Sequence, residues 1–264
     1  MCVPVKVQSL DASRSSLYYK RKQPEKDATL RRRIEGVLHE HPSYGHKRLA
    51  THLKVNKKRV RRVMQIFGIK PYRRRGKKYR KAKPQDEQYP NLLRLVTPSY
   101  EGCVWAADFT HLAYKGKDVC VATVLDLYSR KIVGVSVALN HAAPLVVQAF
   151  AGALLSNGRP AIFHSDNGSE YHAKPFRTML MNLDVAISRS LPGCPWENGY
   201  QESFYNQFKV DLGDPNRFAS LGELVVAIYD TIYRYNTVRI HTALKMPPQQ
   251  FALARRTATL HTAV

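Results

Sequence analysis

The sequence predicts an α/β or α+β chain: a mixed five-stranded sheet with flanking helices, preceded by a small all-helical module. Three observations carry that prediction. The positive charge lies almost wholly in the first 90 residues, where 26 Lys and Arg stand against 7 Asp and Glu, a net +19; residues 91–264 hold 16 against 13, a net +3. The apolar residues of the basic part recur at helical spacing. Those of the near-neutral part form β-branched and aromatic runs and then switch to a helical period. On these grounds the chain divides into a basic helical module (1–70), a basic linker (71–96), a sheet domain (97–254) and a tail (255–264).

The 264 residues are 44% hydrophobic and 10% aromatic, enough to fill real cores and to exclude wholesale disorder. A net charge of +22 is best tolerated in a compact chain beside a polyanion, so nucleic acid is the partner the charge points to. Cys2, Cys103, Cys120 and Cys194 lie far apart with no C-x-x-C pair, which argues against a disulfide scaffold or a zinc finger. No signal-like start and no eighteen-residue apolar stretch is present, so the expectation is a soluble intracellular chain without membrane association.

In the basic module, Leu30, Ile34, Val37 and Leu38 fall at helical spacing from Glu25 on, and Pro42 closes that segment. A short helix burying Leu49 and Leu53 follows, then a turn at Lys54-Val55. Asn56 caps a further helix whose stripe is Val60, Val63, Met64 and Phe67, ended by Gly68. Two short helices joined by such a turn make a helix-turn-helix unit. Lys57, Lys58, Arg59, Arg61 and Arg62 crowd the second helix, where a recognition helix meets the major groove and its phosphates; the alternative is an ordinary basic surface helix. Asp11–Lys22 reads as the end of one more helix. The run Arg73-Arg74-Arg75 and onward to Pro84 repels itself and cannot bury, so it reads as an extended linker, either merely solvated or bound to phosphates.

In the near-neutral part, residues 104–112, 118–128 and 131–139 are β-rich runs with short connections, which imply an antiparallel meander. Helices are expected at 144–155 and 176–183, strands at 161–166 and 185–188, and a last helix carries Phe204, Phe208 and Leu212 as a core stripe. Asp108 sits inside the first strand among apolar neighbours, where an ionised carboxylate needs a cation or hydrogen bonds. Asp166 ends the fourth strand, and Gly168 is expected to supply the sharp turn after it. Glu202 shares a helix face with Asn206 and Lys209, away from the core stripe. Singly, each carboxylate can be a cap, a turn ligand or an ion-pair partner. Asp126, placed to pair with Arg130, and Glu170 and Glu197 are read that way. Together, Asp108, Asp166 and Glu202 make a hard-oxygen set suited to Mg²⁺ or Mn²⁺. Two such ions about 3.5 to 4 Å apart can serve attack on a phosphodiester.

With 35 residues between Asp166 and Glu202, the pieces Trp105-Ala-Ala-Asp-Phe-Thr, Val124-Leu-Asp-Leu-Tyr-Ser-Arg, His164-Ser-Asp-Asn-Gly-Ser-Glu-Tyr, Asn198-Gly-Tyr-Gln-Glu-Ser-Phe and Tyr235-Asn-Thr-Val-Arg-Ile-His stand in a familiar order. The sequence resembles the DDE transposases with a retroviral-integrase-like catalytic core, of the insertion-sequence family three, second-reading-frame type. The resemblance implies an RNase-H-like fold and Asp108, Asp166 and Glu202 as the catalytic, metal-holding triad. It also implies Mg²⁺- or Mn²⁺-dependent cutting at the ends of an element followed by strand transfer, with two ions per site. The implied partners are double-stranded DNA, both element ends and target, and other copies of the chain; the implied setting is the bacterial cytoplasm and nucleoid. Lys209 is expected near the scissile phosphate. Tyr235, Asn236, Arg239 and His241 match a C-terminal Asn-x-x-Arg-x-His stretch, read either as DNA contact or as a helix cap packed on the core. Relatives of this kind are often fused to an upstream frame with its own helix-turn-helix and coiled coil, so a partner or fusion of that kind is expected. Asn167 and Glu170 stand where many relatives carry Arg and Gln. The other readings are an RNase-H-like nuclease that cuts without joining, and an inactive DNA-binding relic.

Overall fold

The computed structural model describes residues 23–72, 89–191 and 194–262, and these fall into two compact units, one within Met1–Pro71 and the other within Tyr72–Val264. The expected helix at Asp11–Lys22 and the run Arg73–Arg75 lie outside the described residues.

The first unit is helical. Helix α1 (Gln23–Glu40), α2 (His46–Leu53) and α3 (Lys57–Ile66) bury Leu30, Ile34, Val37, Leu49, Val60, Val63 and Met64 around one small core. Tyr44, fully buried in the α1–α2 turn, stacks on His41 with ring centroids 4.5 Å apart. The α2–α3 turn is closed by Lys54 in the left-handed region (φ 52°), and the Asn56 side chain accepts the Lys58 amide at 2.8 Å, which caps α3. Asp27, a buried carboxylate on α1, accepts from Arg62 at 2.6 Å and from Gln23 at 3.0 Å.

The second unit is built on a five-stranded sheet in the order β3-β2-β1-β4-β5. Strands β1 (Val104–Tyr114), β2 (Lys117–Asp126) and β3 (Ile132–Ala138) form the expected antiparallel meander; β4 (Ile162–Ser165) and β5 (Ala186–Arg189) add parallel to β1. Helix α4 (Ala143–Asn157) and the helices α5 (Ser169–His172) and α6 (Lys174–Asn182) connect them. Helix α7 (Gly199–Leu212), α8 (Leu221–Thr237) and α9 (Pro248–Thr262) follow.

Alternation along β1 sends Val104, Ala106 and Leu112 into one core with Phe204, Phe208 and Leu212 of α7 and Ile228 and Ile232 of α8. Trp105 and Ala107 enter the other, with Phe150, Phe163, Phe176 and Leu180. The expected stripe of α7 is thus the buried one. Sheet and α4 approach so closely at Gly134 that an added Cβ would lie 2.1 Å from the Ala149 carbonyl oxygen.

Three expectations need correction. Tyr89, Leu92, Leu93 and Val96 pack on the cores of the sheet unit, so the end of the segment read as linker belongs to the domain. The residues read as a tail from 255 on continue α9, and Arg256 pairs with Glu101 at 2.7 Å. Asp126 does not pair with Arg130: fully buried, it accepts from the Ser129 amide and hydroxyl (2.7 and 2.8 Å) and from the Gly102 amide (2.7 Å), which satisfies the β2–β3 turn. The Arg130 guanidinium lies 3.9 Å from the Tyr200 ring centre instead. Among the described residues no helix is long and apolar enough to cross a membrane.

Candidate active site

Asp108 and Asp166 come from neighbouring parallel strands. The register pairs Val104 with Ile162, Trp105 with Phe163 and Ala106 with His164; each aspartate lies two residues beyond that last pair. Asp166 has just left β4, and its Oδ1 accepts the Gly168 amide at 3.0 Å. Gly168 is needed here, but not for an unusual turn: its φ is −61°, and a Cβ would stand 2.9 Å from a Glu170 carboxylate oxygen and 3.1 Å from that of Asp166. A larger residue there would push the Glu170 and Asp166 carboxylates from these positions.

Glu202 arrives on the first turn of α7, where the helix dipole favours an anion. Three side chains of that helix and the turn before it fasten it to the sheet. Asn198 donates to the Ala107 carbonyl (3.3 Å), Gln201 to those of Ala106 (2.6 Å) and Thr123 (3.3 Å), and the Tyr205 hydroxyl to that of Asp108 (2.6 Å). Gln201 and Tyr205 are buried, and Thr123 bridges them at 3.1 and 2.8 Å. This buried polar network, in which only the Asn198 Oδ1 lacks a partner, fixes the helix in rotation and along its axis. The sequence reading passed over these residues because a buried Gln and Tyr look like any other in a stripe.

Burial and neighbouring charge both act on Asp108. Burial, then the charge of Asp166 and further that of Glu202, push its carboxyl from 3.8 to about 8, against the Phe109 amide (2.8 Å) and the Lys209 cation, which favour ionisation. Asp166 is raised as well, by burial first and by Glu170, with the Gly168 amide and Arg189 opposing. The structure therefore brings the other two expected carboxylates, Asp166 and Glu202, within electrostatic reach of Asp108, together with Lys209. The Lys209 ammonium also donates to the His111 carbonyl at 2.9 Å.

Behind Asp166 stands a cation that the sequence did not single out. Arg189 of β5 is 2% exposed; it donates to the Tyr171 carbonyl at 2.6 Å and to the Ser165 hydroxyl, and burial lowers its own pKa to about 10. His164, fully buried beside its cross-strand neighbour Ser188 (2.9 Å), is pushed down to about 4 by burial and stands neutral at pH 7. Glu197 holds the Leu191 amide (2.7 Å) and Arg94 (2.6 Å), and Glu170 is buried 3.7 Å from the His141 ring.

The other expected contacts separate into two kinds. Lys57, Lys58, Arg59 and Arg61 are exposed on α3, and Arg62 is half engaged with Asp27. Arg239 is a correction: it is 4% exposed and paired with Asp211 and Gln207 of α7, so its guanidinium clamps the segment after α8 to α7 and presents no free face to a phosphate.

The chain matches the family described as "Integrase core domain" twice, over residues 99–195, which include Asp108 and Asp166, and over 183–248, which include Glu202. It is 31% identical over 235 residues to the transposase for insertion sequence element IS904 of Lactococcus lactis, covering 84% of this chain and 92% of that protein. With the putative transposase InsK for insertion sequence element IS150 of Escherichia coli the identity is 26%, over 90% and 89% of the two chains. The HTLV-2 integrase catalytic core domain, solved in complex with magnesium, overlays at a TM-score of 0.44 with 21% identity, covering 58% of this chain and 97% of that one. With this sheet order, and a relative matched along nearly its full length, the chain belongs to the transposases of insertion-sequence elements, those built on an RNase-H-like integrase core.

Proposed function

We propose that the chain cuts DNA at the ends of an insertion element and joins them to a target, with Asp108, Asp166 and Glu202 as the catalytic residues. The observation that carries the reading is the convergence of three carboxylates, from β1, the end of β4 and α7, where burial first and the charges of Asp166 and Glu202 after it raise the Asp108 carboxyl to about 8. A cluster that resists full ionisation is stabilised most by a dication.

The donor set fits such an ion. All three groups are hard oxygens, and the repulsion between them is what a divalent ion removes. Mg²⁺ or Mn²⁺ held by Asp108, Asp166 and Glu202, as two ions in our reading, would supply charge stabilisation for an in-line displacement at phosphorus. The residues themselves do the positioning. Asn198, Gln201 and Tyr205 hold Glu202 on the sheet; Arg189 sustains the negative charge of Asp166 from behind; Lys209 adds a cation beside Asp108, in place to draw a phosphate toward the cluster. In-line geometry between a DNA end and a second phosphodiester then carries much of the rate.

The exposed cations of α3, carried on a helix-turn-helix-like unit, support docking of that unit on duplex DNA, with several copies of the chain assembled on the element ends. The test is a strand-transfer assay with labelled DNA bearing the terminal repeats of the flanking element and Mg²⁺ or Mn²⁺. Joined product is expected. Ends that are hydrolysed but never joined would replace this reading with that of a simple nuclease, and binding with neither reaction would point to a relic.

A further inference from the structure

We propose a second metal site, for one Zn²⁺-class ion, formed by His111, Cys120 and His141 on the face of β1 opposite Asp108, with Asp118 closing the fourth position. It is independent of the transposase reading, since it uses none of the three catalytic carboxylates.

His111 and Cys120 are direct cross-strand partners on β1 and β2, and His141 descends onto them from the connection between β3 and α4. The three ligand atoms all lie within 4.8 Å of one another. Sγ of Cys120 is 3.5 Å from Nδ1 of His111. Zinc bonds of about 2.3 Å to sulfur and 2.0–2.1 Å to nitrogen, opened to a tetrahedral angle, separate the two ligand atoms by about 3.5 Å. That edge of the tetrahedron already stands at its bonded length. Asp118 Oδ2 is 2.5 Å from the same nitrogen and 3.9 Å from the sulfur, so a small swing of a half-exposed carboxylate brings it to the remaining corner.

The donor types select the ion. A thiolate and two imidazoles suit zinc and its neighbours in the first transition row, whereas the Asp108 cluster, all oxygen, suits magnesium. Strand alternation turns Asp108 to the face of Ala106 and Leu112 and His111 to that of Trp105 and Ala107, and Glu170, 3.7 Å from His141 and in electrostatic reach of both Cys120 and Asp166, lies between the two sets. Access also fits. The side chains of His111, Asp118 and His141 are 45%, 54% and 56% exposed, while Cys120 is fully buried, so an ion entering from solvent ends against a sheltered sulfur. The Phe109 ring stacks on His141 at 5.8 Å and meets His111 edge-on at 5.5 Å, holding both imidazoles toward each other. With 8 residues between the first two ligands and 20 between the next, no finger pattern announces the site in the sequence.

On binding, the Cys120 thiol gives its proton to solvent and the Asp118–His111 hydrogen bond opens. The ion then ties the β3–α4 connection to the β1–β2 hairpin. The experiment titrates the metal-free full-length chain with Co²⁺, whose bond to a thiolate absorbs in the near ultraviolet and whose tetrahedral complexes absorb strongly in the visible. One equivalent should produce both bands, and one equivalent of Zn²⁺ should abolish them. Asp166→Asn should leave the bands intact, Cys120→Ser should remove the thiolate band, and His141→Ala, a substitution at an exposed position, should weaken Co²⁺ binding by roughly tenfold or more. Absence of a thiolate band in the wild-type chain, its survival in Cys120→Ser, or undiminished binding in His141→Ala would overturn the proposal.

Discussion

The Tyr205 hydroxyl is bonded to the main-chain oxygen of Asp108 at 2.6 Å, which ties the helix bearing Glu202 to the strand bearing the first aspartate. Tyr205 lies three residues after Glu202 and contacts no reacting group itself, so it is a positioning residue. Tyr205→Phe keeps the ring in its core but removes the donor to the Asp108 carbonyl and a partner of the Thr123 hydroxyl. We expect a loss of about 1–3 kcal/mol in stability. Joining activity should fall through kcat at unchanged DNA affinity. Denaturant unfolding and single-turnover strand transfer measure the two effects, and an unchanged rate would mean that the hydroxyl does not position Glu202.

The proton on Asp108 gives a pH dependence with a definite sign. Its carboxyl titrates near 8 in the folded chain, by burial and the Asp166 charge, and near 3.8 when unfolded. Between those values the folded state holds a proton that the unfolded state has lost, so this group's contribution to stability falls as pH rises from about 4 to about 8. Asp108→Asn removes the titration. In EDTA, the variant should gain stability relative to the wild type as pH rises from 5 to 8, by up to a few kcal/mol. A difference in thermal midpoint that stays flat over that range would place the proton elsewhere.

Much of this was legible in the residues, and the omissions have physical reasons. The meander and the two carboxylates at strand positions follow from β-rich runs with short connections, and α7 from its Phe204, Phe208 and Leu212 stripe. Arg239 was open between two readings because its partners, Asp211 and Gln207, lie 28 and 32 residues away and only the fold brings them together. Tyr89 to Val96 read as linker because their apolar residues are few and follow a long basic run, yet they pack on the sheet unit. Nothing in the local sequence marks Arg189, whose burial depends on Tyr171 and Ser165 arriving from another connection. Local periodicity announces elements, while convergence of distant polar groups is a property of the tertiary fold.

The contact at Gly134 sets a limit on the packing of β3 against α4. In Gly134→Ala the new methyl meets the Ala149 carbonyl oxygen at 2.1 Å and the Ala153 methyl at 2.9 Å, so strand and helix must part. A cost of about 1–3 kcal/mol is expected from such overpacking. An unfolding midpoint equal to that of the wild type would show that the layers slide freely there.

On α3, Arg61 is exposed, whereas Arg62 is held by the buried Asp27 at 2.6 Å. If Arg61 neutralises a phosphate, Arg61→Ala should weaken duplex binding and make the log–log salt slope shallower by about 0.9. Arg62→Ala should in addition destabilise the helical unit, because it leaves a buried carboxylate with Gln23 alone among the bonds to Asp27 described above. Binding isotherms at several salt concentrations, beside thermal unfolding, separate the two arginines. Equal slopes for Arg61→Ala and the wild type would remove Arg61 from the DNA face.

The central claim is that Asp108, Asp166 and Glu202 act as one metal-holding catalytic cluster. The most direct test is Mg²⁺-dependent cutting and joining of a terminal-repeat DNA by Glu202→Gln, a substitution of nearly equal shape that removes one charge while Asn198, Gln201 and Tyr205 still dock the helix. The account predicts loss of both reactions by roughly a thousandfold or more, on the scale of removing a transition-state electrostatic group, with folding and DNA binding nearly unchanged. A variant that cuts and joins as fast as the wild type would contradict it.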